Sequence, residues 1–127
     1  MSFPSELKYS KEHEWVRVEG NKAVIGITSH AAEALGDVVF VELPEVDDSF
    51  GVDEAFGSVE SVKAVSDVFT PVSGKVVAIN EALLDSPELI NNDPYGEGWM
   101  IEIEMDDPSQ LDDLMSASDY EAFLKEE

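Results

Sequence analysis

The chain has 127 residues, of which 43% are hydrophobic, so it is long enough for one domain with a modest core. Its 29 acidic residues outnumber 7 basic ones and give a formal net charge of -22. This charge disfavours nucleic acids and anionic membrane surfaces as partners, and the absence of cysteine excludes a disulfide framework and a thiol nucleophile.

Turn-forming residues divide the first half of the chain into short elements. Gly20 and Asn21 are typical of a hairpin turn. Ser29 can cap a short helix that Gly36 ends, and Pro44 closes an apolar strand. The elements expected here are strands at residues 15–19, 22–28 and 37–43, a helix at residues 29–35 and an acidic loop at residues 45–51.

Further strands are indicated in the second half of the chain. In residues 99–105 the apolar side chains share one face, while Glu102 and Glu104 share the other. Ser73 and Gly74 are expected to turn the chain. The strands expected here are residues 56–62, 64–70, 75–80 and 99–105. Many short strands separated by turns predict a small antiparallel β sandwich or flattened barrel with helical additions.

Helix-start signals follow in the same half. Pro87 suits the first position of a short helical turn. Asp107 precedes a second helical segment. Ser118 and Glu121 have the spacing of a capping box, which predicts a last helix near the C-terminus.

Lys63 lies between the two expected strands at residues 56–62 and 64–70. A lysine at a hairpin tip keeps its side chain in water, while the paired strands fix its place. Such a lysine can be acylated by another enzyme and then carry a tethered cofactor. An ordinary exposed turn lysine would have the same spacing, so the spacing alone leaves both interpretations open.

Several motifs follow one another along nearly the whole chain. They are His13-Glu14-Trp15-Val16, Gly36-Asp37-Val38-Val39-Phe40, Glu60-Ser61-Val62-Lys63-Ala64, Pro71-Val72-Ser73-Gly74, Ser86-Pro87-Glu88-Leu89-Ile90-Asn91 and Gly98-Trp99-Met100. In this order they resemble the H proteins of the glycine cleavage system, whose modified lysine matches Lys63. The resemblance implies a single lipoyl-carrier domain over residues 1–127. It also implies the barrel-sandwich hybrid of lipoyl and biotinyl carriers, mainly β, with two antiparallel sheets and short helices that include C-terminal ones.

The resemblance also implies a function as a carrier that is not itself an enzyme. Lipoate attached covalently to Lys63 would accept an aminomethyl group from glycine decarboxylase (P protein) and deliver it to aminomethyltransferase (T protein). Dihydrolipoyl dehydrogenase (L protein) would reoxidise it. A lipoate ligase or an octanoyl or lipoyl transferase would attach the cofactor.

Carboxylates matching Glu14 and Asp67 line a cleft in this family that shelters the loaded arm. Both are present in this chain, whereas a histidine found in some members is replaced by Ala34. His13 and His30 with nearby glutamates are a weak signal for a metal site, because no third convergent ligand is evident. We therefore expect no metal.

Several alternatives compete with the H-protein interpretation. Biotin carriers flank their lysine with methionines, and lipoyl domains of 2-oxo-acid dehydrogenases usually place Asp before it, whereas this chain has Val62 and Ala64. A role in another 2-oxo-acid dehydrogenase or in a lipoate relay stays open. An enzyme with a Schiff-base lysine would need Lys63 to be buried. A plain interaction module predicts an unmodified Lys63.

The sequence also suggests a location. No segment resembles a membrane span, and residues 1–10 lack the basic start and apolar run of a secretory signal. A cytoplasmic protein is expected, although a processed protein of the mitochondrial matrix would look the same. The acidity is as consistent with solubility as with steering towards basic protein partners.

Overall fold

The computed structural model describes residues 4–126, which contain two antiparallel β-sheets and several short helices. The strands are β1 (Lys8–Tyr9), β2 (Glu14–Glu19), β3 (Lys22–Ile27), β4 (Val38–Glu42), β5 (Ser49–Phe50), β6 (Ala55–Ser61), β7 (Val65–Phe69), β8 (Gly74–Ile79) and β9 (Ile101–Met105). The helices are α1 (Ser29–Leu35), α2 (Ala82–Asp85), α3 (Leu89–Asn92), the 3-10 helix Pro108–Asp113 and α4 (Ala117–Glu126).

The larger sheet has the strand order β1-β2-β3-β9-β8-β5, and the smaller sheet has the order β4-β6-β7. Every strand pair in both sheets is antiparallel. The prediction of a mainly β fold with two antiparallel sheets and short helices is therefore confirmed. None of the helices within residues 4–126 is long and apolar enough to cross a membrane.

The main hydrophobic core contains the inward side chains of both sheets. The expected alternation in β9 is present, since Ile101, Ile103 and Met105 are buried while Glu104 is exposed. The paired strands β8 and β3 place Val76 and Ala23 opposite Ile103 on either side. Burial of one face of each sheet fixes the register, because a slip of one residue would turn the apolar side chains to water.

A second hydrophobic cluster attaches α4 to the large sheet. Tyr120 of α4 is fully buried, and its ring stacks on Tyr9 of β1 at a centroid distance of 4.8 Å. Trp15 of β2 belongs to the same cluster, and its indole Nε1 donates to the carbonyl oxygen of Pro94 at 2.9 Å. The C-terminal helix is thus part of the folded structure next to β1 and β2.

Two helix caps differ from the sequence prediction. The hydroxyl of Thr28, not Ser29, accepts the hydrogen bond from the backbone N–H of Ala31, while the hydroxyl of Ser29 lies 3.0 Å from that of Tyr95. Ser116, not Ser118, accepts from the N–H of Asp119, and α4 begins at residue 117, so Ser118 lies inside the helix. The capping box was therefore wrong, although the helix itself was correctly predicted.

Other differences concern very short elements and Gly74. Strands β1 and β5 have two residues each, and neither they nor α2 was expected. Gly74 begins β8 instead of forming a turn. A Cβ on Gly74 would collide with the backbone oxygen of Glu104 in the neighbouring strand β9, so glycine is required there by a close approach of two strands.

The Gly26→Ala substitution is expected to destabilise the protein. A Cβ on Gly26 would lie 2.8 Å from three atoms of the Trp15 ring, which is fixed by the hydrogen bond to Pro94. Overpacking of this kind typically costs about 1–3 kcal/mol. The measurement is the free energy of unfolding in urea. Gly51→Ala is the control because the nearest atom would be 4.0 Å away, and equal stabilities of the two variants would contradict the prediction.

Candidate functional site

Lys63 lies at the tip of the hairpin formed by β6 and β7, as the sequence predicted. Glu60 and Val65 form the last pair of the ladder, and beyond them the backbone N–H of Ser61 donates to the carbonyl oxygen of Ala64 at 2.8 Å. The side chain of Lys63 is exposed. This exposure contradicts the Schiff-base enzyme, which requires a buried lysine.

The backbone of the tip is fixed by the buried side chain of Ser61. Its hydroxyl oxygen accepts from the backbone N–H of Lys63 at 3.3 Å and from that of Ala64 at 3.1 Å, and donates to the carbonyl oxygen of Ala64 at 3.2 Å. The N–H of Val62 donates to the carbonyl oxygen of Asp37 at 3.2 Å. The amine of Lys63 therefore projects from a hydrogen-bonded tip, and sequence reasoning had not assigned this role to Ser61.

Asn91 fixes the segment on which the tip rests. Its side-chain amide accepts from the N–H of Val38 and donates to the carbonyl oxygen of Gly36, each at 2.8 Å. Gly36 has a φ of +83° and ends α1. A Cβ on Gly36 would be 3.5 Å from Cε of Lys63, so the aliphatic stem of the lysine passes beside this glycine. The motif that contains Asn91 thus supports the lysine from a distant part of the chain.

Apolar and acidic side chains surround the tip. Val62 is 73% exposed, Val65 is 65% exposed and Phe40 is 53% exposed. Glu60 of β6 lies between Phe40 of β4 and Val65 of β7, because it pairs with both residues. A partner that approaches Lys63 therefore meets an apolar surface with negative charge within it.

A cavity of about 200 Å³ lies between the two sheets and α1, and Glu14 and Asp67 both line it. Glu14 begins β2 of the large sheet, whereas Asp67 belongs to β7 of the small sheet. Ala34 lines the same cavity, and apolar walls come from Ile27, Leu35 and Val59. The structure thus brings together two carboxylates that are 53 positions apart in the sequence.

Glu14 is buried, with only 2% of its surface exposed. Its Oε1 accepts a hydrogen bond of 2.6 Å from the hydroxyl of Ser10, and its Oε2 accepts one of 3.3 Å from the backbone N–H of Phe69. Burial raises the pKa of Glu14 to about 7, and nearby Glu12 and Asp53 add to this effect, while both hydrogen bonds oppose it. Asp67 is exposed, so the two carboxyls differ in their environment.

His13 and His30 lie close together, with ring centroids 4.8 Å apart. Nδ1 of His13 is 2.7 Å from the hydroxyl of Tyr120, which is itself 2.9 Å from the hydroxyl of Thr28. Within residues 4–126 no group of three or more His, Asp or Glu side chains is placed to hold a metal ion. In the structure, His13 connects the start of β2 with the C-terminal helix.

Two antiparallel sheets with an exposed lysine at a hairpin tip fit the class of lipoyl and biotinyl carriers. The family model of the glycine cleavage H-protein matches residues 7–127. The chain belongs to this family.

Individual relatives match this chain over nearly their whole length. The glycine cleavage system H protein of Staphylococcus haemolyticus is 61% identical over 99% of this chain and 100% of its own length. That of Carboxydothermus hydrogenoformans is 56% identical over 98% of this chain and 95% of its own length. The crystal structure of a glycine cleavage system H protein from Mycobacterium marinum superposes with a TM-score of 0.89, at 40% identity, over 97% of this chain and 99% of that one.

Proposed function

We propose that this chain is the lipoyl carrier of a glycine cleavage system, a single carrier domain that is not itself an enzyme, with Lys63 as the modified residue. The observation that carries the proposal is the exposed Lys63 on a tip held by the buried Ser61 side chain. Membership of the H-protein family supports it independently. When attached, the lipoyl group supplies a disulfide that accepts the aminomethyl group left by glycine decarboxylation.

The tip has the properties that such an arm requires of its protein. An exposed amine is accessible to an acylating enzyme, a lipoate ligase or an octanoyl or lipoyl transferase. The fixed backbone keeps the root of the arm in one place. Attachment then makes each encounter with a docked partner local, which raises the effective concentration without new contacts. The partners proposed are the P, T and L proteins.

Glu14 and Asp67 are proposed to hold the cationic amine of the loaded arm in the cavity between the sheets. A carboxylate in a partly dry site attracts a cation more strongly than one in water, because water screens the charge less there. The apolar walls of Ile27, Leu35 and Val59 limit the access of water to the bound group. Ala34 provides no polar contact, so the two carboxylates carry this role.

The charge and the relatives support the remaining proposals. A net charge of -22 favours partners with basic docking faces over nucleic acid or anionic membranes. The relatives from Staphylococcus haemolyticus and Carboxydothermus hydrogenoformans are bacterial proteins, which supports a cytoplasmic location. No metal is required for the proposed role.

Peptide mapping of protein purified from a lipoylation-competent host is expected to place the lipoyl group on Lys63. Lys75 is the internal control because it is also exposed, but it lies within β8, and its Nζ is 3.4 Å from a carboxylate oxygen of Asp47. Lys75 therefore does not lie at a hairpin tip between two strands. Modification at Lys75, or none at all, would contradict the proposal.

A further inference from the structure

Ser10 is buried and forms hydrogen bonds with Glu14 through both its backbone and its side chain. Its backbone N–H donates to the carbonyl oxygen of Glu14 at 2.9 Å, and its hydroxyl oxygen accepts from the N–H of Glu14 at 3.1 Å. The carbonyl oxygen of Ser10 accepts from the N–H of His13, which has a φ of +69°. Residues 10–14 therefore form a closed turn that fixes the start of β2.

The direction of the hydroxyl proton of Ser10 follows from these contacts. Since the hydroxyl oxygen accepts from the N–H of Glu14, its own proton is directed to Oε1 of Glu14, 2.6 Å away. Ser10 does not line the cavity that contains Glu14 and Asp67. It lines a neighbouring cavity of about 280 Å³ instead. The hydroxyl thus binds the carboxyl from outside the space that an arm would enter.

We propose that Ser10 is a positioning residue for the arm cavity, whose hydroxyl orients the Glu14 carboxyl and favours its anionic form. The inference rests on the proposed role of Glu14 in holding the arm. Ser10 touches no part of the arm and acts only through Glu14. A short hydrogen bond from a neutral donor stabilises a carboxylate more than a neutral carboxylic acid, so the hydroxyl promotes the charge that attracts a cationic amine.

The acidic groups near Glu14 do not substitute for this hydroxyl. Glu12 and Asp53 disfavour its anionic form, as does burial. Asp67 and His13 line the same cavity, and Nδ1 of His13 lies 2.7 Å from the hydroxyl of Tyr120. The backbone N–H of Phe69 also donates to the carboxyl, at the longer distance of 3.3 Å.

The test compares Ser10→Ala with the wild-type protein in two measurements. In the unmodified protein, NMR titration of the Glu14 carboxyl carbon is expected to show a midpoint raised by about one pH unit from its value near 7, because one donor to a buried anion is lost. At pH 7 the anionic fraction would fall from about one half to about one tenth. In the aminomethyl-loaded protein, the pH profile of arm lifetime should shift by the same amount.

Two further serine variants separate positioning from general loss of stability. Ser10→Thr keeps the hydroxyl, and the neighbouring cavity has room for the additional methyl group, so its midpoint should stay near the wild-type value. Ser73→Ala removes a half-buried hydroxyl that interacts with Gln110, away from Glu14, and should move neither measurement.

The outcomes distinguish this inference from the proposed function. An unchanged midpoint in Ser10→Ala overturns the inference. So does a raised midpoint without a shift of the lifetime profile, provided that Glu14→Gln shortens the lifetime. If Glu14→Gln leaves the lifetime unchanged, the proposed role of Glu14 fails, and the role of Ser10 in arm holding fails with it.

Discussion

The Lys63→Arg variant is expected to fold normally and to have no measurable activity in glycine cleavage. Arginine keeps the positive charge at an exposed tip, so the free energy of unfolding should change by less than about 0.5 kcal/mol. The guanidinium group cannot form the amide bond that attaches lipoate. The measurement is glycine decarboxylation and the exchange of carbon dioxide into glycine, reconstituted with the P, T and L proteins.

The control for this result is Lys75→Arg, which makes the same exchange at an exposed lysine within a strand. It should retain full activity and the mass increase of the lipoyl group. Intact mass should show that Lys63→Arg carries no such group. Substantial activity of Lys63→Arg in the presence of all three partners would remove Lys63 from the mechanism.

The Glu14→Gln variant is expected to stabilise the protein at alkaline pH while it shortens the lifetime of the loaded arm. The pKa of Glu14 is raised to about 7 from an ordinary value of 4.5. Neutral Glu14 therefore contributes stability below pH 4.5, and this contribution is lost as the pH rises through 7. Relative to the glutamine variant, the free energy of unfolding of the wild-type protein should fall by about 3 kcal/mol between pH 4 and pH 8.

Asp67→Asn is the matched comparison because it makes the same kind of exchange at an exposed carboxyl of the same cavity. It should change the unfolding free energy little at either pH. If both carboxylates hold the amine, each variant should release formaldehyde and ammonia from the loaded arm faster, while reoxidation of the unloaded arm stays near normal. Unchanged lifetimes in the double variant would exclude both residues, whereas a pH-independent stability difference would contradict only the burial argument.

Local signals predicted the elements whose structure depends on near neighbours. The Gly20-Asn21 turn joins β2 and β3 in the register that pairs Glu19 with Lys22, and the alternation in β9 matches its burial. The cap of α1 was misassigned because Thr28 and Ser29 are adjacent hydroxyl residues. The hydroxyl of Ser29 instead lies 3.0 Å from that of Tyr95, which is distant in the sequence.

The site was less accessible to sequence reasoning than the strands. The spacing of Lys63 predicted its hairpin, but the proximity of Glu14 and Asp67 depends on how two separate sheets pack, and only the family resemblance suggested it. Ser10 and Ser61 carry no motif of their own that indicates a buried hydroxyl. Their contacts arise in irregular turns, where periodicity gives no information.

The hydrogen bond from Phe69 to Glu14 joins the end of β7 in one sheet to the start of β2 in the other. A backbone amide proton that donates to a carboxyl responds to the charge of that carboxyl, because charge-assisted hydrogen bonds are stronger than neutral ones. The amide of Phe69 is therefore expected to act as a spectroscopic reporter of the cavity. Its resonance should follow the ionisation of Glu14 and, with no label attached to the arm, the arrival of the proposed cation beside it.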